Sequence, residues 1–186
     1  MASPSKINGI NIDQLFTTID LLRQQPELAL FKFRATNKWL DGTHSRATVK
    51  DFYGPGKEDT SRQPRSFDLD EPPVLLGGDD GTNPVEYLLV ALSGCITTSL
   101  VAYASANKIP LKGVASRFEG DIDLRGFLGI SKEVPIGYQE IRVYFKIDAD
   151  ISEEQKQELL QTGIKYSPVA NTIKSQTPIS VQLNQT

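Results

Sequence analysis

The sequence is poor in metal ligands, because its 186 residues include one cysteine, Cys95, and one histidine, His44. One cysteine excludes an intrachain disulfide and any metal site built from several thiolates. One histidine leaves little nitrogen for zinc, copper or non-haem iron. We therefore expect no transition metal held by the protein.

The chain also lacks a large excess of charge of one sign. It has 20 Lys and Arg against 23 Asp and Glu, a net charge of -3, and no block of like charges. Nucleic acid binding draws on a basic surface, so we expect no nucleic acid partner. The N-terminal sequence MASPSKINGINID lacks a basic region followed by an apolar core, which a secretory signal would need. We expect a cytoplasmic protein.

Only one uncharged run, residues 87–106, reaches the length of about 20 residues that a membrane span requires. Its flanks, Asn83-Pro84 and Asn107-Lys108, lack the aromatic and basic anchors of a span. Small and polar residues also dilute it, namely Ser93, Gly94, Thr97, Thr98, Ser99 and Ser105. We expect a long buried central helix and no membrane partner.

The remaining apolar pattern predicts, in chain order, a helix, three strands, the long helix, two strands, two helices and a last strand over residues 179–183. Apolar residues make up 39% of the chain, enough for a real core. The strands cluster instead of alternating with helices. This order indicates an α+β fold with antiparallel strands and argues against a doubly wound sheet.

The long helix has a strong start signal, in which Asn83 can act as N-cap, Pro84 takes the first helical position and Glu86 the third. A capping role is therefore one explanation of Glu86. The glycine-rich loop before it, residues 77–81, carries two aspartates that oppose a phosphate, and the Walker lysine is missing. We expect no nucleotide and no other cofactor.

Cys95 allows two interpretations. Free cysteine is among the most buried residue types and mostly behaves as a small hydrophobe, so composition alone favours a packing role. Cys95 lies about three turns into the helix, beyond the reach of the helix dipole, which fades within the first turn. A reactive thiolate would therefore need a cation brought in by the fold.

Small residues recur along the same helix at spacings of three and four, and they form a stripe that lets another helix approach closely. The stripe consists of Ala91, Gly94, Cys95, Thr98, Ala102 and Ser105. Glu86 and Cys95 lie about 13 Å apart and half a turn out of phase on one straight helix, so they cannot share chemistry within it. A second subunit with its helix antiparallel could join them, and we expect a homodimer.

Three segments resemble the family of osmotically inducible protein C and the organic hydroperoxide resistance proteins (the OsmC/Ohr family). Residues 81–95, GTNPVEYLLVALSGC, resemble its central helix, and residues 166–173, YSPVANTI, match its GCPVS segment except at the cysteine. Residues 39–49, WLDGTHSRATV, resemble its hairpin. The similarity begins near residue 30. It implies an N-terminal helical extension over residues 1–29 and an OsmC-like domain over residues 30–186.

The resemblance implies an intertwined α+β homodimer, in which two long central helices pack together and each site takes residues from both chains. Family members with two cysteines reduce organic hydroperoxides: a thiolate on the central helix attacks the O–O bond, becomes a sulfenic acid and condenses with the second cysteine. An arginine stabilises the thiolate, and a glutamate near the helix start orients the arginine.

Carried onto this sequence, the resemblance assigns Cys95 to the reactive position and Ser167 to the position of the second cysteine. A sulfenic acid here would therefore wait for an external thiol reductant. The family glutamate falls at Val85, one residue before Glu86, and Arg46 is the nearest arginine on the hairpin. The candidate catalytic residues are Cys95, Arg46 and Glu86, while His44 is expected to be an ordinary exposed side chain.

The leading hypothesis is a thiol-dependent peroxidase of the one-cysteine type that reduces organic hydroperoxides in oxidative stress defence. The alternative is a non-catalytic OsmC-like dimer that binds a small apolar ligand at its interface, since the second cysteine is missing and the glutamate is displaced. A third reading is an obligate dimer whose cysteine only packs.

Overall fold

The computed structural model describes residues 6–183 and has a mixed α+β architecture with antiparallel sheets, as the sequence predicts. The strands are β1 (Lys6–Ile7), β2 (Ile10–Asn11), β3 (Lys32–Asp41), β4 (His44–Tyr53), β5 (Glu58–Asp59), β6 (Arg65–Leu69), β7 (Gly113–Asp121) and β8 (Glu140–Asp148). The α-helices are α1 (Ile12–Gln24), α2 (Pro84–Ala106), α3 (Leu124–Phe127), α4 (Glu153–Lys165) and α5 (Pro168–Lys174). Two short 3-10 helices lie at Pro26–Ala29 and Pro73–Leu75.

The chain divides into two compact units. The first contains the described residues 6 and 11–88, and the second contains residues 7–10 and 89–183. Helix α2 begins in the first unit and continues through the second. The N-terminal extension expected over residues 1–29 stays a prediction.

The first unit is built on the predicted hairpin. Strand β3 turns at Gly42, whose φ of +50° suits glycine, and pairs antiparallel with β4. The other side of β4 pairs with β6 and with the short β5. In this register Arg46 on β4 lies between Lys38 on β3 and Asp68 on β6, so the three residues form one row across the sheet.

The second unit packs α2 against the β7–β8 hairpin and helices α4 and α5. Apolar residues recur every fourth position along α2, and the buried stripe consists of Leu92, Ile96, Leu100 and Ala104. Helices α2 and α4 cross closely at Gly163, where a Cβ would lie 3.0 Å from the Cβ of Leu100. The predicted long helix is confirmed, and one of its faces lies in the core.

By length and composition, α2 is the one helix among the described residues that could cross a membrane, but a core helix of a soluble protein passes the same test. Packing of the Leu92–Ile96–Leu100 stripe agrees with a core helix. The face that carries Ala91, Gly94 and Thr98 is exposed in the single chain, and a Cβ on Gly94 would meet nothing within 4 Å.

The N-terminal β1–β2 turn is fastened to the C-terminal end of α2 by Asn8. Its side-chain amide donates to Ser105 Oγ at 3.1 Å and to the carbonyl of Ile109 at 2.9 Å. Its Oδ1 accepts the N–H of Leu111 at 2.8 Å. Ser105 is fully buried, and Asn8 gives its hydroxyl a hydrogen-bond partner. Asn8 also gives partners to the backbone groups of Ile109 and Leu111, which follow the end of α2.

The prediction of a last strand over residues 179–183 is wrong, since residues 177–183 form no helix or strand. Its alternating apolar residues Ile179, Val181 and Leu183 are almost fully exposed. An alternating pattern describes a side-chain surface, and it produces a strand only where a sheet edge pairs with it. Within the described chain no edge does so.

Candidate functional site

Cys95 is a free, half-buried thiol on α2. It follows exposed Gly94 and precedes buried Ile96, so it lies at the border between the open and the packed faces of the helix. Partial exposure is a condition that a reactive thiol must meet and that a fully buried core cysteine does not.

Ser167 is fully buried and caps α5, where its Oγ accepts the N–H of Ala170 at 3.2 Å. The segment before it contacts α2, because Ser99 Oγ donates to the carbonyl of Tyr166 at 3.1 Å. Ser99 lies one turn after Cys95, so the start of α5 and the turn that follows Cys95 are neighbours. Ser167 is therefore the N-cap of α5, and its hydroxyl cannot form a disulfide.

Arg46 is held by Asp68 through two hydrogen bonds. Its Nε donates to Asp68 Oδ1 at 2.9 Å and its Nη2 donates to Asp68 Oδ2 at 3.2 Å. This fork arrangement follows from the β4–β6 register, which sets the two residues opposite each other. The hydrogen bonds raise the pKa of Arg46 above its usual value and lower that of Asp68.

His44 lies on the same side of the sheet, two residues before Arg46, and its Nε2 is 3.0 Å from Asp68 Oδ1. This contact is the second cause of the lowered pKa of Asp68, after the bonds from Arg46. The expectation of an ordinary exposed histidine is wrong, since the side chain is only 23% exposed. Sequence reasoning missed Asp68 and His44 because only the β4–β6 register joins them.

Glu86 lies exposed in the first turn of α2, where Asn83 Oδ1 accepts the N–H of Val85 at 2.8 Å. The predicted N-cap at Asn83 is thereby confirmed. The carboxylate that binds Arg46 in this chain is Asp68, and the catalytic role expected of Glu86 stays a prediction.

A loop between β6 and α2 is organised by Asp70, which is buried with only 2% of its surface exposed. Its carboxylate accepts from Thr43 Oγ1 at 2.6 Å and from the N–H groups of Glu71, Gly78 and Asp80 at 2.8, 3.0 and 3.1 Å. These bonds, that of Thr43 first, lower the pKa of Asp70 to about 2. The amides of the glycine-rich loop thus bind a carboxylate of their own chain.

The second unit contains an apolar cavity of about 460 Å³ between α2, β8, α4 and α5. Leu92 and Ile96 of α2, which flank Cys95 in sequence, form part of its wall. Lys174 and Glu140 are the charged residues that line it. The size and lining suit a small apolar molecule.

Among residues 6–183, no group of three or more His, Cys, Asp or Glu side chains is placed to hold a metal ion. The side chains of the candidate residues Cys95, Arg46 and Glu86 supply a thiol, a guanidinium and a carboxylate.

Comparisons with known proteins give one consistent answer. The family model described as OsmC-like protein matches residues 77–182, while no curated protein matches. The OsmC-like protein from Mycoplasma pneumoniae has a TM-score of 0.60 and 18% identity, over 78% of this chain and 89% of that chain. An organic hydroperoxide resistance protein from Elizabethkingia anophelis has a TM-score of 0.58 and 18% identity, over 79% and 91%.

A further solved structure, an organic hydroperoxide resistance protein OsmC from Legionella pneumophila, has a TM-score of 0.55 and 18% identity, over 78% of this chain and 90% of that chain. Such structural similarity at low identity shows a shared fold. The family model adds a sequence match over more than half of the chain, including α2 and the start of α5. The chain therefore belongs to the OsmC-like protein family.

Proposed function

We propose that the protein is a thiol-dependent peroxidase that reduces organic hydroperoxides through Cys95, in oxidative stress defence. The observation that carries the proposal is the half-buried thiol of Cys95 on the central helix of a family member. Two similar structures are those of organic hydroperoxide resistance proteins, which supports a peroxide-related redox role.

The proposed reaction needs two stages. The Cys95 thiolate attacks one oxygen of ROOH, the O–O bond breaks, and the products are a sulfenic acid and an alkoxide that takes a proton to become ROH. Because the chain has no second cysteine, an external thiol then attacks the sulfenic sulfur and releases water. A second external thiol reduces the mixed disulfide and restores Cys95.

Arg46 is proposed to stabilise the Cys95 thiolate and the developing alkoxide. A guanidinium remains charged at every relevant pH, and one that is already oriented needs little reorganisation during the reaction. We also propose that Glu86, which lies one residue after the family's glutamate position, contributes a carboxylate to the site.

We propose that the protein acts as an intertwined homodimer in the cytoplasm, without a nucleic acid or membrane partner. The exposed small residues Ala91, Gly94 and Thr98 on α2 support the dimer, since they would let a second copy of this helix pack closely.

A second candidate function is non-catalytic binding of a small apolar ligand. The cavity of about 460 Å³ favours it, because its volume falls in the range of small-molecule sites. In that case Cys95 would be unreactive, and ligand binding would not depend on Cys95.

One stoichiometric experiment separates these functions. Purified protein is treated with one equivalent of cumene hydroperoxide in the presence of dimedone, and the mass of the Cys95 peptide is measured. We expect rapid formation of the dimedone adduct and none in Cys95→Ser. Slow or absent modification at equimolar peroxide would contradict the peroxidase proposal and favour the binding protein.

A further inference from the structure

We propose that the apolar cavity of the second unit binds an amphipathic anion, an aliphatic chain that ends in a carboxylate, with Lys174 at the carboxylate. This ligand class rests on the second candidate function, in which the cavity is a ligand site, and it gives that ligand a chemical identity. Binding of this kind requires no reactive thiol, so it is independent of the peroxidase proposal.

The cavity of about 460 Å³ is formed within one unit, because every residue that lines it belongs to the second unit. Most of its apolar wall is aliphatic. The aliphatic residues include Leu92, Ile96, Ile141, Val143, Ile164 and Ile173. Planar ligands draw on aromatic side chains that stack against them, whereas an aliphatic wall makes dispersion contacts with a hydrocarbon chain of any conformation. The lining therefore favours a hydrocarbon chain.

Close packing holds two sides of the cavity in place. A Cβ at Gly120 would lie 2.6 Å from the ring of Tyr138, so the glycine on β7 leaves room for a ring that lines the cavity. On the helix side, a Cβ at Gly163 would lie 3.0 Å from the Cβ of Leu100, so α4 lies directly on α2. Walls that are already packed lose little freedom when a ligand enters.

The two charged residues at the cavity differ in their partners. Glu140 Oε2 accepts Nη1 of Arg142 at 2.6 Å, so the charge of this carboxylate is compensated within the chain. Side chains alternate along a strand, so this ion pair lies on the face of β8 opposite to Ile141 and Val143, which line the cavity. Lys174 forms no ion pair with any residue of the range 6–183, and its charge is available to a ligand.

The position of Lys174 determines which end of the ligand carries the charge. Lys174 is exposed in the last turn of α5, directly after Ile173, which is part of the apolar wall. A carboxylate beside the ammonium group of Lys174 would stay in contact with water while its hydrocarbon chain leaves water for the cavity. An uncharged chain would leave the lysine unused, and a cation would be repelled by it.

The experiment is isothermal titration calorimetry of the full chain with hexanoate, octanoate and decanoate. Each methylene removed from water improves affinity about fourfold, so we expect the Kd to fall about tenfold from one acid to the next. Decanol should bind more weakly than decanoate, and decylamine more weakly than decanol. A Kd that does not depend on chain length, or that is equal for decanoate and decylamine, would overturn the proposal.

Variants of the full chain test the head group and the wall separately. Lys174→Ala should weaken decanoate binding about twofold to fivefold and leave decanol binding unchanged, and Lys174→Glu should make decylamine bind more tightly than decanoate. Lys146→Ala is the matched control, since Lys146 is an exposed lysine of β8 that does not line the cavity. Ile173→Ser, at a position that is 37% exposed, should weaken the binding of decanoate and decanol alike.

Circular dichroism checks that each variant folds. A decanoate Kd that Lys174→Glu leaves unchanged, or that Lys146→Ala raises as much as Lys174→Ala does, would overturn the role of Lys174. A decanoate Kd that Ile173→Ser leaves unchanged would overturn the assignment of the hydrocarbon chain to the cavity.

Failure of this inference is distinct from failure of either proposed function. Cys95→Ser should bind decanoate as the wild-type protein does. If decanoate binding depends on Lys174 while peroxide leaves Cys95 unmodified, the inference stands and the peroxidase proposal falls. If peroxide modifies Cys95 but none of the ligands binds, the inference and the second candidate function fall together. Equal binding of decanol and decanoate would keep the apolar ligand site and overturn the carboxylate.

Discussion

Ser167, which the sequence resemblance sets at the position of the family's second cysteine, has a hydroxyl with a structural task of its own. It is fully buried, and it caps α5 through the N–H of Ala170. A buried serine hydroxyl that accepts a helix N–H contributes to stability by satisfying a donor that the helix leaves open. The Ser167 hydroxyl is therefore structural, and in the proposed reaction an external thiol would have to regenerate Cys95.

Replacing Ser167 by alanine tests that role. Ser167→Ala removes the cap of α5 while leaving the chain path unchanged, so we expect the free energy of unfolding to fall by about 1 kcal/mol. Urea denaturation followed by circular dichroism measures it. Ser175→Ala, at an exposed position after α5, is the control and should change little. Equal stability of Ser167→Ala and wild type would contradict the capping role.

The helices and strands whose ends are marked by cap or turn residues close in sequence could be predicted from the sequence. Asn83, Pro84 and the apolar period define α2, and the Asp41-Gly42 turn defines the β3–β4 hairpin. The pairing of Arg46 with Asp68 could not be predicted from the sequence. The two residues are 22 positions apart, and only the β4–β6 register brings them together. The strand predicted over residues 179–183 failed for the related reason that pairing is not a local property.

The loop between β6 and α2 should be the acid-sensitive element of the first unit. The pKa of Asp70 is lowered from 3.8 to about 2 in the folded chain. Its contribution to stability is therefore complete above about pH 4 and is lost as the pH falls toward 2. We expect Asp70→Asn to be less stable than wild type at pH 6 and to converge with it near pH 2, in urea denaturation at a series of pH values.

The matched control for this prediction is Asp79→Asn, which changes an exposed aspartate of the same loop. Asn also tolerates the positive φ of 60° at that position. It should follow the wild-type acid profile. A constant difference between Asp70→Asn and wild type across pH 2 to 6 would show that the carboxylate charge is not what holds the loop.

At the scale of the whole molecule, the packing of the single chain does not explain why one face of the apolar helix α2 is exposed. Ala91, Gly94 and Thr98 are exposed there, although the helix is apolar enough to span a membrane by composition. A helix with few charges on any face is normally covered on all sides. Small side chains at spacings of three and four suit a second helix at close range, so the proposed homodimer accounts for both properties.

Gly94→Phe should therefore shift the protein from dimer to monomer. Gly94 is exposed in the single chain and a Cβ there would meet nothing within 4 Å, so a larger side chain can leave the helix toward the open face, where a phenylalanine would hold two α2 helices apart. Light scattering at micromolar concentration measures the mass. Gln161→Phe, at an exposed position of α4, is the control and should remain dimeric. A monomeric wild-type protein would contradict the proposed homodimer. A dimer that survives Gly94→Phe would show that this face of α2 is not in the interface.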